Sequence, residues 1–118
     1  FDLFLCPVEH FNKLQIKPDL LINTFSLGEM KKKIFENYMK SNVFQNSKYV
    51  FYVNRVNSHI EYKNKITMSD YKLHKYKKLH FDINLINTHY VKRFLRYFGI
   101  KKRFNSEIFE YIGKNKKL

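Results

Sequence analysis

Residues 65–85, KITMSDYKLHKYKKLHFDINL, decide how the chain is read. Thr67, Ser69 and Asp70 come first and are turn formers, because their side chains bond nearby backbone groups. Tyr71 and Leu73 follow as a compact apolar pair. Then an alternation begins. Leu79, Phe81, Ile83 and Leu85 take one parity, and Lys78, His80, Asp82 and Asn84 take the other. A period of two predicts a half-buried strand with the leucine-bearing side toward a core.

Upstream, residues 26–34 read SLGEMKKKI. Ser26 is a helix N-cap type, and it predicts a helix over 27–40. Leu27, Met30, Ile34 and Tyr38 recur at helical spacing and are expected to face the sheet. Lys31, Lys32 and Lys33 cannot share one face at 100° per residue. With these two stretches in place, the chain resembles the ubiquitin-like family. Thr67, Ser69, Asp70, Tyr71, Lys75, Leu79, His80 and Leu85 match the family's last turn and strand without a gap. The 26–34 stretch resembles the start of its single long helix. The resemblance implies an α+β, β-grasp sheet with one packed helix over residues 1–85. It also implies a changed recognition surface, since Asp82 stands where the family has an apolar residue. The family's C-terminal diglycine is missing, which speaks against conjugation as a modifier.

The remaining elements follow from local pattern. Residues 1–6 read as a strand stopped by Pro7. Residues 13–22 read as a second strand, interrupted at Pro18, which cannot donate to a ladder. Residues 42–47 read as a loop. KYVFYVNRV at 48–56 is rich in β-branched and aromatic residues and reads as a strand. Both its parities are apolar, so it is expected to be central or covered on its outer face. Beyond residue 85, Val91, Phe94, Leu95 and Phe98 form a stripe that predicts a helix ending at Gly99. Phe104, Ile108, Phe109 and Ile112 predict a second helix, ended by Gly113. Residues 86–118 are thus expected as a basic two-helix extension appended to the 1–85 domain.

Charge is distributed unevenly. The 118 residues carry a formal net charge of +13. Residues 1–47 hold six Lys/Arg against five Asp/Glu, and residues 48–118 hold seventeen against five. An AT-rich genome inflates lysine everywhere, but it does not sort charge between halves. The asymmetry points to a polyanion, either nucleic acid or an anionic membrane surface. A hydrophobic fraction of 44% sets the chain apart from a disordered tail. No apolar run reaches the roughly 20 residues of a membrane helix. The lone Cys6 has no partner for an internal disulfide, which suits a reducing compartment.

The sequence offers little for catalysis. It has no phosphate-binding glycine loop, no nucleophile elbow and no paired carboxylates. His10, His59, His74, His80 and His89 lack metal-ligand spacing. No catalytic residue, metal or cofactor is expected. The positive signal is lysine and arginine interleaved with aromatics. Lys72, Lys75, Lys77 and Lys78 form one cluster, and Lys92, Arg93, Arg96, Lys101, Lys102 and Arg103 form another. Such residues pair with phosphates while nearby tyrosines stack on unpaired bases. A solvated helix face is the plainer reading of the second cluster. For protein contacts, Phe51 and Tyr52 are candidates, as are Val91, Leu95 and Phe98. The alternative is that the terminal helices lie on the sheet and cover it.

These features lead to an expected non-enzymatic structural subunit of a large ribonucleoprotein. A ribosome, in particular a mitochondrial one, is the most economical case, with rRNA and neighbouring subunits as partners. The chain opens at Phe1 and not Met, which suits a processed mitochondrial protein; otherwise the expectation is cytoplasmic. A ubiquitin-like protein-binding adaptor and an accessory subunit of a mitochondrial membrane complex are the other expectations.

Overall fold

The computed structural model describes residues 8–58, 65–90 and 102–117. It is an α+β fold built on a four-stranded mixed sheet. β1 (Leu20–Thr24) leads through a short 3-10 turn (Leu27–Glu29), α1 (Lys32–Lys40) and α2 (Asn42–Asn46) to β2 (Tyr49–Arg55). β3 (Tyr76–Tyr90) and β4 (Lys102–Asn115) complete the sheet in the order β1-β2-β4-β3. β1 and β2 are parallel, as a helical crossover allows, and the other two pairings are antiparallel.

β2 behaves as its composition dictates. Val50, Tyr52 and Asn54 are buried, and Tyr49, Phe51, Val53 and Arg55 are half-buried on the opposite face. The helices pack on the first of these faces. Phe35 and Met39, one helical turn apart on α1, join Leu27, Phe44, Val50, Tyr52, Ile66, Phe109 and Tyr111 in the core. Tyr71 is the hub of this core. Its ring meets Phe35 and Phe109 edge-on, each at 5.1 Å between centroids, and Tyr52 at 5.5 Å. Edge-to-face geometry suits the ring quadrupoles. The turn before Tyr71 holds it there. The Asp70 carboxylate accepts from the Thr67 N–H at 2.8 Å and from the Thr67 hydroxyl at 3.1 Å, and it pairs with Lys32 at 3.1 Å. Lys72 then takes a left-handed backbone, φ 53°, and turns the chain into β3.

Several expectations require correction. The strand expected over 13–22 is only Leu20–Thr24, and Val8–Lys13 is a 3-10 turn. The strand expected over 1–6 lies outside the described residues. The helix expected over 27–40 is interrupted, because Met30 and Lys31 take extended backbone and α1 starts afresh at Lys32. The restart changes the phase: Phe35 and Met39 face the core, while Ile34 is 44% exposed. The loop expected over 42–47 contains α2, whose first turn is capped by the Ser41 hydroxyl accepting from the Phe44 N–H at 3.4 Å.

The C-terminal segments change most. β3 runs on past Leu85 to Tyr90, so residues 88–90 are strand and not the start of a helix. Residues 91–101 lie outside the described residues. The helix expected over 105–112 is β4, which sits inside the sheet between β2 and β3. Its apolar residues satisfy a period of two: Phe109, Tyr111 and Gly113 share the core face, and Ile108 and Ile112 share the other. A spacing of four, as between Ile108 and Ile112, keeps one face in a helix and in a strand alike. Finally, Leu79, Phe81, Ile83 and Leu85 are 53%, 39%, 45% and 65% exposed. Among the described residues β3 is an edge strand, and the core residues lie over β2 and β4 and not over this side of β3.

Candidate polyanion interface

Pairing registers place side chains on the two faces of the sheet. On the outer face, away from the helices, three rows cross all four strands. They are Leu20–Tyr49–Lys114–Lys77, Ile22–Phe51–Ile112–His80 and Thr24–Val53–Glu110–Asp82. A bulge between Lys78 and His80 absorbs Leu79 and keeps these rows aligned. None of the rows contributes to the central core cluster.

One end of the sheet concentrates lysine. There the start of β2, the start of β3 and the end of β4 meet. The Asn115 N–H donates to the Lys48 carbonyl at 2.9 Å, and the Lys116 N–H donates to the Lys75 carbonyl at 3.3 Å. Residues 48–49, 75–78 and 114–117 carry seven lysines and no carboxylate. Lys77 and Lys114 sit directly opposite each other across the ladder. Like charges in that position repel and lower stability. Lys48 lies 3.8 Å from the exposed Asp19 and 5.7 Å from the Tyr49 ring centroid. An exposed pair of this kind is worth little and leaves the ammonium accessible. Lys116 donates to the His74 carbonyl at 2.8 Å, which ties the β4 end to the turn before β3.

The predicted site residues are divided by this geometry. Lys77 and Lys78 are both exposed but face opposite sides of β3. Lys75 is half-buried and donates to Gln45 Oε1 at 3.0 Å. Lys72 lines an open groove of about 380 Å³ together with Phe35, Glu36, Met39, Lys40, Ser69 and Asp70. Lys102 and Arg103 lie in β4 at the opposite end from Lys114, across from Tyr90 and His89. Twelve residue steps of strand run from Lys102 to Lys114, about 40 Å at ordinary rise. Lys92, Arg93, Arg96 and Lys101 lie outside the described residues, as do Val91, Leu95 and Phe98. Of the protein-contact candidates on β2, Phe51 is on the outer face, but Tyr52 is fully buried in the core. Adjacent residues of a strand point to opposite faces, so the two cannot share a surface.

Lys48, Lys114, Lys116 and Lys117 are not legible in the sequence as one site with Lys77. They are far apart in the chain, and only strand pairing joins them.

Burial pushes the Tyr71 hydroxyl well above its ordinary range, with Asp70 and Glu29 adding to the effect. Burial does the same to Tyr52, reinforced by Tyr76. These phenols stay neutral. Among the described residues, no three His, Cys, Asp or Glu side chains converge as metal ligands would. No helix among them is long and apolar enough to cross a membrane. No family model matches the chain, and no curated protein matches it.

Proposed function

We propose that the chain is a non-enzymatic structural subunit of a large ribonucleoprotein, a mitochondrial ribosome being the most economical case. Its lysine-rich sheet end meets the RNA phosphate backbone, and the rest of its surface meets neighbouring subunits. The observation that carries the proposal is the convergence of seven lysines from three separate segments on one end of the sheet. Phosphate contacts release condensed counterions, so binding is electrostatic and does not depend on base sequence. A ubiquitin-like, β-grasp kinship belongs to the same proposal. The capped turn ending in Tyr71 and the helix packed on a mixed sheet support it.

The proposal is tested by sedimentation of the native protein from a gentle lysate with and without ribonuclease, and by RNA titration of a variant. The native protein should sediment with a large particle that shifts down after ribonuclease treatment. In Lys48→Glu/Lys78→Glu/Lys117→Glu, all three sites are exposed. The slope of log K against log salt should fall by about 2 units, at roughly 0.7 for each phosphate no longer neutralised on single-stranded RNA. A free small protein in the lysate, together with an unchanged salt slope in the folded variant, would refute it.

A further inference from the structure

We propose that the outer face of the sheet binds a second copy of this chain, related by a two-fold axis along the Ile22–Phe51–Ile112–His80 row. The face has three bands. On β3 and β4 a positive band, Lys77 and Lys114, lies on one side of the apolar row, and a negative band, Asp82 and Glu110, lies on the other. Each band opposes like charges directly across the ladder, an arrangement that costs stability in the isolated chain. The two bands carry equal and opposite charge, so a polyanion lying across the whole face meets as much repulsion as attraction. The apolar row between them is exposed at its β1 end, where Ile22 is 59% accessible. In neighbouring rows Leu20 is 50% accessible.

A second copy satisfies all three bands at once. Two sheets packed face to face stand about 10 Å apart with strands nearly aligned. A two-fold axis along the apolar row turns one end of each sheet over the other end of its mate while keeping the strand order. Lys77 then faces Asp82 of the other copy, Lys114 faces Glu110, and Phe51 and Ile112 face their own counterparts. Each charged band lies one residue pair, about 7 Å, from the axis, within reach of long side chains. A two-fold axis along the strands instead sets the charged β3–β4 half on the apolar β1–β2 half and leaves every charge unmatched. The isologous contact is therefore specified by the charge pattern. The present partners of the acids leave room for it. Glu110 lies 3.6 Å from His80, and Asp82 accepts from the Ile83 N–H at 2.8 Å and from Asn84 at 3.3 Å. Three rows of four side chains are fewer than the roughly 20–30 residues a side of a standard interface, so the dimer is weak and concentration-dependent.

The test is a charge-swap experiment by sedimentation equilibrium on nuclease-treated protein. Wild type should dimerise reversibly. Lys77→Glu/Lys114→Glu and Asp82→Lys/Glu110→Lys should each be monomeric, the first with negative bands only and the second with positive bands only. Mixed in equal amounts, they should form a heterodimer with wild-type strength, because every band then meets its opposite. Ile112→Ser, which leaves all charges in place, should weaken the wild-type dimer about tenfold or more. Wild type that stays monomeric at every concentration would overturn the proposal. So would a mixture that fails to associate, or a dimer indifferent to both charge variants. The RNA test uses Lys48, Lys78 and Lys117, which lie outside these bands, so the two proposals fail separately.

Discussion

Gly113 sits where no side chain fits. A Cβ there would lie 2.6 Å from Tyr111 Cε1 and 2.7 Å from Tyr76 Cβ. Neither ring can retreat freely, because the Tyr111 hydroxyl donates to the Leu73 carbonyl at 3.2 Å and the Tyr76 hydroxyl to the Phe44 carbonyl at 3.3 Å. Gly113→Ala should therefore cost about 1–3 kcal/mol by overpacking, measured by urea unfolding. Asp70 shows the opposite kind of residue, one with several partners. Its partial burial works to raise its pKa, but the Thr67 backbone N–H, the Lys32 ammonium and the Thr67 hydroxyl outweigh that and hold it below the usual carboxylate value. A folded-state value below the unfolded one gives stability that is present above about pH 4 and lost as pH falls through the folded value. Asp70→Asn should cost about 0.5–2 kcal/mol at pH 6. The gap between the two proteins should narrow toward pH 3 in unfolding midpoints measured across that range. A constant gap would remove the carboxylate charge from the account of this turn.

At the scale of elements, the phase of α1 separates two adjacent residues sharply. Phe35 is buried against Tyr71 and Ile34 is exposed. Phe35→Ala should cost about 3–5 kcal/mol, and Ile34→Ala about 0.5 kcal/mol or less, compared by chemical denaturation. Equal costs would mean that the helix is rotated from this orientation. β3 shows a second element-level device. Its exposed apolar parity would make a hazardous edge, but Asp82 bonds the Ile83 N–H and lysines crowd its start. Charged side chains and occupied edge amides discourage uncontrolled strand addition. These elements also show where local reading works. β2 and the 67–71 turn were legible because alternation and capping chemistry are local. The C-terminal strand was not, because Ile108 and Ile112 fit both periods and only pairing with β2 and β3 chooses between them.

The whole molecule carries +13 at pH 7, and self-repulsion of that size opposes compaction. Salt screens it: the Debye length falls from about 30 Å at 0.01 M to about 8 Å at 0.15 M. Tm should rise by about 5 °C over that range, equivalent to about 1 kcal/mol for a domain of this size, and calorimetry at constant pH would show it. A fall in Tm would mean that the ion pairs Lys32–Asp70 and Arg55–Glu29 outweigh the net repulsion. The same charge makes the candidate site a property of the whole sheet. Lys77 is legible in the sequence because it stands in a lysine-rich run. Lys48 and Lys114 are not, because each is an ordinary surface lysine until β2, β4 and β3 lie side by side.

By itself the sequence determined the β2 strand, the polar turn before Tyr71, and the concentration of positive charge after residue 47. These rest on alternation, hydrogen bonding and composition, which act over a few residues or simply add up. Tertiary structure decided the phase of α1, the strand state of the C-terminal segment, the exposure of Leu79 to Leu85, and the separation of charge into bands. Each of these depends on which surfaces meet across long stretches of chain. Burial and strand register are set by those meetings, and no local spacing specifies them.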